Sequence, residues 1–123
     1  MTILECKIPR SPCVSHLELT PELIELISAR FRALAEPTRL QILNCLRAGA
    51  RTVSDLVKET GLGQANVSKH LQALYAARFV QRRKEGLFTY YSLADRNVFK
   101  LCDLMCGRLE RELRGQRKAL SAS

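Results

Sequence analysis

Residues 52–84 read TVSDLVKETGLGQANVSKHLQALYAARFVQRRK, and this stretch decides the fold. Thr52 is a good helix cap with Asp55 at the capping-box position, so a short helix runs through Glu59. Gly61 closes that helix, because glycine takes the left-handed backbone without a Cβ clash, and Gly63 lets a second helix begin at Gln64. In the second helix Val67, Leu71 and Leu74 share one face. Ala65, Lys69, Gln72 and Ala76 project from the opposite side, flanked by Asn66 and Ser68. One side packs and the other is free to read something. A helix, a tight glycine turn and a second helix of this kind form the layout of a helix-turn-helix, whose second helix enters a DNA groove.

Downstream, the period changes after Arg78 from helical to extended. FVQRRK, then Glu85-Gly86, then LFTYYSL is a β-hairpin rich in valine, phenylalanine, tyrosine and threonine, with Gly86 supplying the turn and Arg82, Arg83 and Lys84 beside its tip. Asp95 then caps a long helix to about Arg114, with Val98, Cys102, Met105 and Leu109 along one stripe that is expected to meet its copy in a second subunit. Upstream, Glu36-Pro37 starts a helix whose apolar side is Leu40, Ile42, Leu43 and Leu46, ending near Gly49. Before it, Thr20-Pro21 opens a helix to Ala35 with Leu23, Ile24, Ile27, Phe31 and Leu34 at helical spacing. The expected organisation is an irregular arm over 1–19, a winged helix-turn-helix and dimerisation domain over 20–114, and a basic flexible tail over 115–123. The fold class is mainly α with a small β-hairpin, dimerised by its N- and C-terminal helices.

Composition agrees with this frame. With 123 residues, 46% of them hydrophobic, the chain fits one domain, and a partner subunit would help complete so small a core. The formal net charge of +8 favours a polyanionic partner. No apolar run approaches the roughly 20 residues of a membrane span, and the N-terminus lacks signal-peptide features, so the expected location is cytoplasmic. The excess charge is local. Between Gly63 and Lys84 stand Lys69, Arg78, Arg82, Arg83 and Lys84 and no acidic residue. That run falls on the two elements that would approach duplex DNA, and this separates it from an ordinary solvated face. Gln64, Asn66, Ser68, Lys69 and Gln72 have the amides, hydroxyl and amine to read base edges, while Arg82, Arg83 and Lys84 suit phosphates. His70 sits beside the packed stripe and is open to three roles: helix packing, phosphate contact or base contact.

Three segments carry a resemblance to a known family: RFRALAEPTRLQILNCL, TVSDLVKETGLGQANVSKHLQAL and RKEGLFTYYSLAD, in that order. Over residues 30–95 the chain resembles the ArsR/SmtB family of winged-helix metalloregulators. The resemblance implies a homodimer that represses its promoter until an inducer lowers its affinity for operator DNA. It also implies base contacts from Gln64, Ala65, Ser68 and Lys69, with Ala65 departing from the usual polar residue. The cysteine motif of many arsenic and cadmium sensors in the family falls on RTVSDL, which has no thiol. The zinc-site positions on the last helix fall on Asp95, Asn97, Arg108 and Arg111, and a guanidinium has no lone pair to give a metal. Neither common family site is therefore expected.

The chain has 5 cysteines and no CxxC, which leaves no support for a disulfide framework or a zinc ribbon. Cys102 and Cys106 are one helical turn apart on the interface stripe, so two subunits could gather four sulfurs, or the pair could simply pack. Cys6 and Cys13, with His16, lie in the arm as further candidate ligands, and Cys45 reads as a packing residue. The expected inducers are thiophilic ions such as arsenite, a redox or sulfide signal, or haem or another ligand, with direct thiol chemistry preferred. The rival reading is a constitutive architectural DNA-binding protein without an inducer. An enzyme is disfavoured: there is no glycine-rich phosphate loop, no GxSxG and no paired carboxylates, and neither His16 nor His70 has a catalytic neighbourhood.

Overall fold

A computed structural model describes residues 18–121. Helix α1 spans Pro21–Leu34, α2 Pro37–Cys45, α3 Val53–Thr60 and α4 Gln64–Ala76. Strands β1 (Val80–Glu85) and β2 (Phe88–Leu93) follow, and α5 runs from Val98 to Ser121. Each start has a local cause. Thr20 Oγ1 accepts from the Leu23 N–H at 3.2 Å, and Pro21 and Pro37 occupy first-turn positions where a missing N–H costs nothing. Thr52 and Asp55 form a full capping box: Thr52 Oγ1 accepts from Asp55 N at 3.1 Å, and Asp55 Oδ2 from Thr52 N at 3.0 Å. Gly61, at φ 74°, closes α3 with its N–H on the Val57 carbonyl at 2.9 Å.

The core sits between α2, α3 and α4. Ile42, Leu43, Leu46, Leu56, Val67, Leu71 and Leu74 are fully buried there, and Val80, Tyr91 and Val98 seal its edge. Helix α2 ends at Cys45 and a single 3-10 turn, Leu46–Ala48, carries the chain to Gly49. The tighter turn brings Leu46 into the core before the chain reverses.

Helix α4 ends in a Schellman motif. The Phe79 N–H reaches the Leu74 carbonyl at 2.9 Å and the Arg78 N–H the Tyr75 carbonyl at 3.0 Å. Arg78, at φ 65°, occupies the left-handed position that glycine usually fills, and among the described residues it is the one non-glycine at positive φ. The hairpin pairs Val80 with Leu93 through Glu85 with Phe88, leaving Gly86 and Leu87 as a two-residue loop. A positive φ at the first loop residue only, Gly86 at 60°, is the type II′ pattern that suits the twist of a hairpin. Arg51 and Tyr91 exchange backbone hydrogen bonds of 2.9 and 2.8 Å, which anchor β2 to the segment before α3.

Asp95 stands just ahead of α5: its Oδ1 accepts from Asn97 N at 2.9 Å as an Asx turn. Helix α5 does not stop near Arg114 but continues to Ser121, so the described part of the expected tail is helical. Gly115 costs about 1 kcal/mol there, and its strong helix-forming neighbours, with Arg108–Glu112 and Arg114–Glu110 pairs one turn apart, offset that cost.

Candidate nucleic-acid interface

Burial along α4 alternates as a packed inner face requires. Val67, His70, Leu71 and Leu74 are buried, whereas Gln64, Ala65, Asn66, Lys69, Gln72 and Ala76 are exposed and Ser68 is half-buried. The polar outer face is therefore presented by a rigid element whose inner face is locked into the core.

Of the roles left open for His70, base contact is the one its burial disfavours, since the residue lies on the inner face of α4. It is 8% exposed, and its Nδ1 accepts from Arg39 Nε at 3.1 Å. Glu36 Oε2 stands 3.5 Å from the same Nδ1, and Arg39 also donates through Nη1 to the Ala33 carbonyl at 3.3 Å. The His70 ring links α4 to the start of α2 through Arg39. His70 thus belongs to the packed inner face of α4.

The basic residues are fixed in different ways. Arg82 lies over the Tyr75 ring at 4.1 Å, joining the wing to the end of α4. Arg83 lies over Tyr90 at 5.6 Å and pairs with Glu85 at 3.3 Å. Both members of that ion pair are more than half exposed, so a phosphate can compete for the guanidinium at little cost. Lys84 is exposed further out on β1, and Arg78, Gln81 and Arg82 line an open groove beside Tyr75. Tyr75 and Tyr90 were missed by reading along the chain. Aromatic interleaving was visible in the composition of the hairpin, but the stacking partners depend on register and helix direction.

The cysteines separate by environment. Cys45 packs against the core. Burial, then Glu59 through a hydrogen bond and its charge, pushes the Cys45 thiol up, with Arg51 opposing, so it stays protonated and unreactive. Cys102 is half-buried and Cys106 exposed on α5. Cys6, Cys13 and His16 lie outside the described residues. Among the described residues no three His, Cys, Asp or Glu side chains converge as a metal group within one chain. At the expected zinc positions, Asp95 is engaged by Asn97 and Arg108 by Glu112.

Helix α5 meets the domain mainly at its start: Arg47 lies over Phe99 at 4.0 Å and pairs with Asp103 at 3.8 Å. Beyond that, Leu104, Met105, Leu109 and Leu113 are exposed, as are Leu26 and Phe31 on α1. Among the described residues no helix is long and apolar enough to cross a membrane.

Comparison with known proteins places this geometry. Residues 36–82 match the family model described as bacterial regulatory protein, arsR family. The chain is 41% identical over 71 residues to a probable mercury resistance operon repressor of Streptomyces lividans, covering 58% of this chain and 57% of that protein. It is 36% identical over 95 residues to a transcriptional repressor SmtB homolog of Synechocystis, covering 70% of this chain and 72% of that protein. A solution structure described as the homodimeric winged helix-turn-helix DNA-binding domain of Mb0332, from Mycobacterium bovis, superimposes with a TM-score of 0.67 at 33% identity, covering 76% of this chain and 87% of the other. The chain therefore belongs to the ArsR family of winged helix-turn-helix regulatory proteins rather than to any class of enzyme.

Proposed function

We propose that this protein is a homodimeric transcriptional repressor that binds operator DNA through α4 and the hairpin and is released when an inducer acts on cysteine thiols. The observation that carries the reading is the exposed, acid-free outer face of α4, continuous in sequence with the cations of β1. Gln64, Ala65, Asn66, Ser68, Lys69 and Gln72 face bases in the major groove, and Arg82, Arg83 and Lys84 neutralise phosphates. Dimerisation through the exposed apolar faces of α1 and α5 would bury Leu26, Phe31, Leu104 and Met105 and set two copies of α4 at the spacing of successive half-sites. The Mycobacterium bovis neighbour is described as homodimeric, which supports this assembly.

Cys102 and Cys106 carry the sensing step, with Cys6 and Cys13 as further candidate ligands. Two thiols one turn apart on each α5 give a dimer four sulfurs, a donor set suited to a soft ion such as arsenite or to oxidation and persulfidation. The Streptomyces relative is described as a mercury resistance repressor, which also supports thiophilic chemistry. Inducer and operator would then be coupled reciprocally: whatever lowers DNA affinity on binding is itself bound less tightly by the DNA complex.

The test is fluorescence anisotropy on the protein's own promoter duplex, with and without arsenite, cadmium, zinc and a persulfide donor, for wild type, Cys102→Ser and Cys106→Ser. Release by a thiol reagent that vanishes in the variants is the expected result. Tight binding untouched by every reagent would instead make the protein a constitutive DNA binder.

A further inference from the structure

Leu87 stands 95% exposed at the hairpin tip, further into solvent than any other large apolar side chain among the described residues, and Phe88 beside it is 58% exposed. The turn does not require them. A type II′ loop needs glycine at its first position, which Gly86 supplies, and its second position is ordinarily filled by a small polar residue. An isolated apolar point on a solvated turn contributes nothing to the core and adds to the risk of association.

The tip is also stiff and charged at its base. Paired register from Val80–Leu93 to Glu85–Phe88, with the two hydrogen bonds between Arg51 and Tyr91, holds the hairpin to the domain. Arg83 and Lys84 stand on β1 just behind Glu85, which borders the loop and is paired with Arg83 at 3.3 Å. An apolar point with two cations behind it on one strand matches one chemistry closely. The DNA minor groove has phosphates along both rims, and its floor of stacked bases yields to an apolar wedge.

We propose that Leu87 is a minor-groove wedge, backed by Phe88 and steadied by Arg83 and Lys84 on the flanking phosphates, which partly opens a base step beside the segment read by α4. The wing then adds sequence preference without base hydrogen bonds, because flexible pyrimidine–purine steps open more cheaply than others. This inference rests on the DNA-binding reading above.

The experiment uses the full-length protein and its promoter duplex, carrying 2-aminopurine at successive positions flanking the protected site and a donor–acceptor pair at its ends. Wild type is expected to raise 2-aminopurine fluorescence at one step per half-site and to bend the duplex. Leu87→Ala should abolish both signals and weaken binding about tenfold. Its salt dependence should match wild type, since no charge is lost, whereas Arg83→Ala should flatten that dependence. Circular dichroism checks that an exposed substitution has left the fold intact. Wild-type affinity, bend and fluorescence in Leu87→Ala would overturn the wedge while leaving DNA binding in place. Leu87-dependent binding to anionic phosphatidylglycerol vesicles, with no effect on DNA, would overturn it in favour of a lipid surface. A wild-type protein that binds no duplex would remove both readings together.

Discussion

The two halves of this molecule are finished to different degrees. Around α4, Leu56, Val67, Leu71 and Leu74 are 0% exposed, and α3 and α4 each start and stop at a cap, a glycine or a left-handed closure. On α1 and α5 the same kinds of side chain stand in solvent: Leu26 at 65%, Phe31 at 53%, Leu104 at 73% and Met105 at 61%. The first half is a complete core with a polar outside, and the second is an apolar surface awaiting a cover. On the proposed function, reading and assembly are separated in space, and a change at α5 would act on DNA binding through subunit geometry without disturbing the core that supports α4.

Substitutions test that division. The largest effect is expected in the core: Leu71→Ala should lower unfolding free energy by about 3 kcal/mol in urea titrations. Leu104→Glu should instead leave the secondary structure intact and shift the protein toward monomer in sedimentation. A monomeric Leu104→Glu chain as unstable as Leu71→Ala would break the comparison, because α5 would then belong to the core.

A smaller effect is expected at the capping box, where Thr52→Ala should cost about 1 kcal/mol. The backbone N–H of Thr52, then its side chain, holds the Asp55 carboxyl below the usual carboxylate range. Because the folded value lies below the unfolded one, the contribution is fully present above the unfolded value of about 3.9. It is lost as pH falls through the folded value. Asp55→Ala should therefore be less stable than wild type at neutral pH, with the gap closing in acid melts. A gap that persists under acid would assign the effect to something other than the carboxylate.

The smallest change sharpens the division between stability and recognition. Arg78→Gly relieves a left-handed residue and should leave stability unchanged or raise it by about 0.5 kcal/mol. The same change removes a cation from the groove beside Tyr75, so DNA affinity should fall and the salt slope decrease by about one. Loss of stability with unchanged binding would show that the Arg78 side chain, rather than its backbone, holds the end of α4.

Much of the fold is readable along the chain. Thr20-Pro21, Glu36-Pro37, Thr52 with Asp55, Gly61 and Gly86 each place a boundary where the structure has one, because capping and turn formation involve residues only two to four positions apart. The end of α5 is not readable in this way. Helix-forming residues after Gly115 and the charge pairs before it carry the helix to Ser121, where the composition suggested a basic tail.

The site divides by the same rule. The apolar period identified Val67, Leu71 and Leu74 as the inner face of α4, and Ala65, Lys69, Gln72 and Ala76 as the outer face, since a helix of known period sorts its own residues. The fate of His70 was not contained in that period. Its partner Arg39 lies 31 residues away, and only the packing of α2 on α4 brings the guanidinium to the imidazole. Likewise three adjacent cations, alike on the page, become one stacked on Tyr75, one shared between Tyr90 and Glu85, and one left exposed. Sequence alone determined the elements, most of their ends and the face that α4 buries, because those follow from backbone geometry over a few residues. Tertiary structure decided which polar groups are spent inside the protein and which remain for a partner, because that depends on contacts between segments far apart in the chain.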